Sequence, residues 1–230
     1  VGSANTIDMS SNTVFSDSLS APSNSTMITP VTTIMAESSL TKEQVVATLG
    51  LPVGMDPLTF SAFDATLSAA DKLTALKVEK AAQKVMAIVS TFATAAEASG
   101  ATASVSFDAA MKAVVAEVVT ATTAYELAVT NSTTPVVLAF TDAQVDDVKL
   151  AMDTVIAAEI VAGTMTTAMS DVFTAQVTNN VIALKNVVGK IDAIVENTAN
   201  LDLSLSSGIF ALTSVLADQV ETATAAVKAI

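Results

Sequence analysis

The stretch Met169–Val195 reads MSDVFTAQVTNNVIALKNVVGKIDAIV and has the most regular hydrophobic pattern in the chain. Its apolar residues recur at steps of three and four, the spacing that puts side chains on one face of an α-helix. The set is Met169, Phe173, Val177, Val181, Leu184, Val188, Ile191 and Val195. The pattern predicts a long amphipathic helix in the core of a bundle, and a coiled-coil seam between two subunits would give nearly the same spacing.

Helical patterns with start and stop signals continue upstream of this stretch. Thr29-Pro30 and the capping box Thr41-Lys42-Glu43-Gln44 predict two short helices, and Gly50 predicts the end of the second. A long helix is predicted from about 71 to 98, and Ser106 is predicted to cap the next one.

The remaining segments fit the same class of fold. Thr141-Asp142 predicts a further helix start, whereas Val136–Phe140 fits a short strand. A last helix is predicted to carry Ile209, Leu212, Leu216, Val220, Ala223 and Val227. The hydrophobic fraction is 51% and the aromatic fraction only 4%, so Ala and Val must fill most of the core. The predicted fold is therefore mainly α, an Ala/Val-rich helical bundle over residues 29–230.

Residues 1–28 differ from the rest, since they are rich in Ser, Thr and β-favouring residues and are punctuated by Asn and Pro. They predict a short β-strand arm at the N-terminus. One or two short strands are not stable alone and must pair with another edge. We expect the arm to donate a strand over residues 6–20 to a neighbouring copy. The apolar assembly residues of this arm are Ile7, Met9, Val14, Phe15 and Leu19.

The residue types that the chain lacks argue against an enzyme. Its 230 residues include no Cys, His, Trp or Arg. Imidazole is the usual general base at neutral pH, thiolate is a strong nucleophile and metal ligand, and guanidinium grips phosphate and carboxylate. A Ser–Lys pair remains in Ser68 and Lys72, one helical turn apart, but a solvated polar helix face explains it better. We predict no catalytic residues and no organic cofactor.

The net charge of −13 limits the partners. A strongly acidic surface is repelled by the phosphates of nucleic acid and by anionic membranes. Charged residues interrupt the long hydrophobic regions, so we expect no membrane insertion. The acidic residues Asp142, Asp146 and Asp147 are the densest metal candidate, because oxygen ligands suit calcium. The same residues would also stabilise a helix N-terminus without any metal.

Two segments of the first half carry a family resemblance. They are 20–64, SAPSNSTMITPVTTIMAESSLTKEQVVATLGLPVGMDPLTFSAFD, and 77–93, KVEKAAQKVMAIVSTFA. The landmarks are Thr29-Pro30, Thr32-Thr33, Leu49-Gly50-Leu51-Pro52, Asp56-Pro57, Thr59-Phe60 and Val78-Glu79-Lys80. This pattern resembles a helical segment of very large, repetitive, adhesin-like surface proteins of aquatic bacteria. The resemblance implies export and a role at the cell surface, with no catalytic residues.

These observations favour an extracellular, non-enzymatic structural protein. It would be a self-assembling subunit of a surface fibre or surface layer, or a module of an adhesin, and its partner would be further copies of itself. The alternative is a helical binding module, because an Ala-rich bundle can leave a cavity for a small hydrophobic ligand.

Overall fold

The computed structural model of the protein describes residues 7–8, 13–14, 18–64, 66–163 and 165–194. Within these ranges the chain is mainly helical, which confirms the predicted helical bundle. The helices are α1 Pro30–Glu37, α2 Lys42–Thr48, α3 Ala69–Ala98, α4 Ala103–Thr130, α5 Asp142–Val161 and α6 Thr167–Asp192. The last predicted helix, from Ile209 onward, lies outside the described residues.

Two pairs of residues near the N-terminus form a minimal antiparallel ladder. The strands β1, Ile7–Asp8, and β2, Thr13–Val14, pair so that Ile7 lies opposite Val14. The other residues of 1–17 lie outside the described part of the chain. The predicted strand arm as a whole therefore stays a prediction.

Four long helices form a closed ring. Helix α3 packs against α4 and α6, and α5 packs against the same two helices on the opposite side. The diagonal pair α3 and α5 makes much less contact, as expected for helices across a four-helix bundle. The short connections 99–102 and 162–166 make α3–α4 and α5–α6 two helical hairpins.

The described part of the apolar stripe on α6 lies in the interior of this ring, whereas the side chain of Met169 and the residue Val195 lie outside the described part of the chain. Phe173, Val177, Leu184, Val188 and Ile191 are all buried within the single chain. Because α6 packs on α3 and α5, these side chains fill the bundle core rather than a seam between subunits. The aromatic residues Phe92 and Phe140 join them among the largest fully buried side chains.

The short helix α1 packs on α3 and α4, and α2 packs on α4 and α1; the ends of both follow the predicted signals. Thr29 and Thr41 are N-caps with complete capping boxes. Gly50 closes α2 with φ +63°, while the Leu51 N–H donates to the Val46 carbonyl at 2.9 Å. This bond and the left-handed glycine form the Schellman motif. The positive φ favours glycine here, and a Cβ would also sit tightly against the Val137 side chain, at 3.3 Å.

Two local predictions were wrong. Helix α4 begins before Ser106, because Thr102 is its N-cap, and Ser106 is buried within the first turns. Residues Val136–Phe140 form no strand, and the Leu138 N–H donates to the Thr48 carbonyl at 2.6 Å, at the end of α2 rather than on a sheet edge. Leu138 and Phe140 still point into the core, which accounts for the strand-like alternation.

Candidate functional site

The Ser68–Lys72 pair belongs to an ordinary helix start. Ser68 is the N-cap of α3, where its hydroxyl donates to Asp71 Oδ2 at 2.7 Å and accepts from the Asp71 N–H at 3.2 Å. Ser68 and Lys72 are both exposed. A capping role explains the serine, and nothing around it excludes water or activates the hydroxyl.

The candidate calcium residues diverge along α5. Asp146 Oδ2 lies 2.6 Å from Lys185 Nζ on α6, whereas Asp147 lies near Glu117 on α4. The side chain of Asp142 lies outside the described residues. Across the described ranges, no three acidic residues come together in a group that could hold a metal ion. The geometry therefore gives the calcium prediction no support.

Glu117 has a strongly raised pKa. It is half-buried between α4 and α5. Burial raises the pKa of its carboxyl to about 7, and the negative charge of Asp147 adds to the increase. The carboxyl thus changes charge near neutral pH. No sequence pattern predicts this, because the effect comes from the packing of α4 against α5, which brings Glu117 close to Asp147.

Two buried lysines of α3 hold the end of α6. Lys84 Nζ donates to Asp192 Oδ1 at 2.7 Å and to the Ala139 carbonyl at 2.8 Å. Lys80 Nζ donates to the carbonyls of Asp192 at 3.2 Å and Ile194 at 3.0 Å. Cations stabilise the C-terminal end of a helix, where carbonyls lack intrahelical partners. We call Lys80 and Lys84 the lysine clamp. Its hydrogen bonds hold the end of α6 against α3, which is a structural role.

Some buried polar groups have no hydrogen-bond partner. Gln176 Oε1, both amide atoms of Asn180, and Ser106 Oγ are enclosed without one. Gln176 and Asn180 lie one turn apart on α6. Sequence inspection passed over them because they fall between the apolar positions of the stripe. Each unpaired group costs roughly 1–3 kcal/mol.

The end of the predicted N-terminal arm lies on the bundle. Leu19 packs against the core, and Ser20 N donates to Thr33 Oγ1 at 3.1 Å. The N–H groups of Thr26 and Met27 both donate to the Leu58 carbonyl. Ile7 and Val14 are in the ladder described above, while Met9 and Phe15 lie outside the described residues. Any assembly contact through Leu19 would require this side chain to leave its own core.

Within the described part of the chain, no other helix covers one face of the second half of α4. Val119 is 38% exposed and Leu127 is 60% exposed. The hydroxyls of Thr120 and Thr123 donate to carbonyls one turn back, those of Ala116 and Val119. These hydroxyls are satisfied by the backbone, so the face presents mostly carbon to solvent. We call this surface, formed by exposed residues of 116–130, the α4 face.

Among the described helices, α4 alone is long and apolar enough to cross a membrane by length and composition. Its first half, however, contributes Phe107, Met111 and Val114 to the bundle core. A core helix passes the same test, so the finding carries little weight for a membrane.

Comparisons with known proteins found no relative. A scan against protein-family models gave no match, and searches of curated proteins and of solved structures gave none either. The resemblance to surface proteins therefore depends on the sequence motifs alone.

Proposed function

We propose that this protein is a non-enzymatic structural subunit that acts outside the cell and assembles with copies of itself. It would form part of a surface fibre, a surface layer or an adhesin. The observation that carries the proposal is the exposed α4 face. Exposed apolar residues on one face of a helix, on a strongly acidic chain, are typical of a surface that contacts another protein.

The chemistry of the chain supports a structural role over a catalytic one. The sequence lacks His, Cys and Arg. In the described structure, Ser68 serves as a helix cap, and the lysine clamp donates to oxygens that end α6. Location outside the cell is supported by the absence of Cys, by the acidic composition, and by the resemblance to surface proteins.

Strand donation by the N-terminal residues would add a second contact between copies. Ile7–Asp8 and Thr13–Val14 already have extended conformations, and such strands leave unpaired main-chain groups at their outer edges. The donated segment would end before Leu19, which is held on its own core. Deleting residues 1–17 should weaken polymer growth while leaving helicity by circular dichroism intact. Unchanged growth would exclude strand donation.

Electron microscopy with sedimentation velocity tests the function directly. We expect oligomers or filaments that grow with protein concentration. Added salt should favour them, because it screens repulsion between chains of net charge −13. Single particles of monomer mass up to millimolar concentration would contradict the proposal. Such monomers carrying an apolar molecule, detected by mass spectrometry of an organic extract, would favour the hydrophobic-ligand alternative instead.

A further inference from the structure

We propose that the α4 face binds the same face of a second copy, with the two α4 helices antiparallel and related by a twofold axis near Val119. The proposal rests on the proposed self-assembly, and the α4 contact would be the first one formed between two copies.

The α4 face, together with Lys112 one turn before it, is arranged so that this surface complements itself. Five exposed residues follow one another along α4 at steps of four, three, four and three positions. They are Lys112, Ala116, Val119, Thr123 and Glu126. They therefore form one line along the helix, about 21 Å long at 1.5 Å per residue. The line is basic at one end, small and apolar in the middle, and acidic at the other end.

A twofold axis turns this order into matched charges. Val119 lies midway between Lys112 and Glu126 in the sequence. When two such lines run antiparallel about Val119, Lys112 of each copy faces Glu126 of the other, and the two Val119 side chains meet. A parallel arrangement would instead set lysine against lysine and glutamate against glutamate. Charge complementarity therefore selects the antiparallel pair.

Lys112 and Glu126 already have contacts within their own chain, but these contacts still allow each residue to pair with a second copy. Lys112 Nζ lies 3.1 Å from Glu159 Oε1, yet the lysine side chain is 58% exposed. Glu126 Oε1 accepts from Gln44 Nε2 at 2.7 Å, and Glu126 is also exposed. A carboxylate has two oxygens and an ammonium group three donors, so each end can keep its own contact and take another.

Small side chains allow a close approach. Ala116, Thr120 and Thr123 line the middle of the face, and the two threonine hydroxyls are turned toward their own backbone. Helix axes can then approach to about 8–9 Å. The buried area would be roughly 500 Å² per copy, at the low end of specific interfaces, so the pair should be weak alone. Low affinity suits a contact that is repeated in an assembly.

Cross-linking at the axis tests the geometry, because the wild-type chain has no cysteine. Subtracting two Cα radii of about 2.3 Å from an axis separation of about 9 Å leaves about 4.4 Å between the Val119 Cα atoms, at the lower end of the disulfide range. Mild oxidation of Val119→Cys should give covalent dimers at tens of micromolar protein. The matched control is Val161→Cys, at a position 89% exposed at the end of α5. Equal cross-linking of both variants, or none at position 119, would overturn the proposal.

Charge reversal tests the pairing without a cross-link. Lys112→Glu and Glu126→Lys should each weaken dimerisation about tenfold by sedimentation equilibrium, and the double variant should recover most of the loss. Glu159→Gln is the control for the contact within one chain, and it should leave dimerisation unchanged. A double variant no better than the singles would refute the antiparallel register.

Failure of this inference can be told apart from failure of the proposed function. If assemblies persist in both single variants and position 119 does not cross-link, self-assembly stands and the α4 contact is wrong. If the wild-type chain is monomeric at every concentration, both are wrong.

Discussion

Replacing Asn180 by leucine should stabilise the protein, against the usual effect of core substitutions. Asn180 is only 1% exposed, and both of its amide atoms are without a partner. It lies on α6 beside the apolar stripe, next to Val181 and one turn from Leu184. Leucine replaces the unpaired side-chain amide, its carbonyl oxygen and its NH2 group, with an apolar side chain.

The magnitude follows from two opposing effects. Removing an unpaired buried polar group recovers roughly 1–3 kcal/mol, and leucine is a better helix former than asparagine by about 0.4 kcal/mol. Fitting a slightly larger side chain into a packed interior costs about 1 kcal/mol. The free energy of unfolding should therefore rise by about 1.5 kcal/mol, and Tm should rise by about 3–6 °C for a chain of this size.

Thermal unfolding followed by circular dichroism measures this change, with urea titration as a second assay. The matched control is Asn186→Leu, because Asn186 is exposed on the same helix. That variant should gain only the difference in helix propensity. If Asn180→Leu is no more stable than Asn186→Leu, the amide of Asn180 is satisfied by a bound water, and the reasoning is refuted.

Two further predictions concern charged groups. Lys84→Met should lower the free energy of unfolding, measured by urea titration, by about 2–3 kcal/mol. The reason is that the substitution leaves the carboxylate of Asp192 and the carbonyl of Ala139 without their partner. An unchanged urea midpoint would show that water replaces the ammonium group. Since the pKa of Glu117 is raised to about 7 in the folded state, its contribution to stability is greatest below the pKa of the unfolded chain, near 4.5, and is lost as pH rises through 7. Glu117→Gln should remove that part of the pH dependence between pH 5 and 8, and identical stability profiles for the two proteins would contradict the assignment.

Where local signals decide a structure, the sequence was sufficient. The N-cap at Thr29, the capping box at Thr41 and the glycine at position 50 act within one turn of helix, and each prediction was confirmed. The stripe of α6 could be recognised as a helix, but its role as core rather than seam could not be read from spacing. That distinction depends on which helices pack beside it.

Other features depend on contacts between distant parts of the chain. Val119 continues an apolar pattern and yet faces solvent, because no described helix covers the second half of α4 on that side. The lysine clamp connects α3 to the end of α6, more than a hundred positions away. No local sequence pattern predicts this contact. Ser106 resembled a cap, but Thr102 precedes it and serves as the N-cap of α4, so the helix had already begun.

The closed ring of α3, α4, α5 and α6 has a consequence for how the protein opens. In a row of helices the outermost one has a single neighbour and can detach by itself. Here every long helix has two neighbours, and the last joint to close, between α3 and α6, unites segments far apart in the chain. The entropy of closing the long loop between α3 and α6 makes this contact slow to form. When the contact breaks, both helices lose one of their two packing partners. Unfolding of the four long helices should therefore be all-or-none, with no helix peeling away ahead of the others.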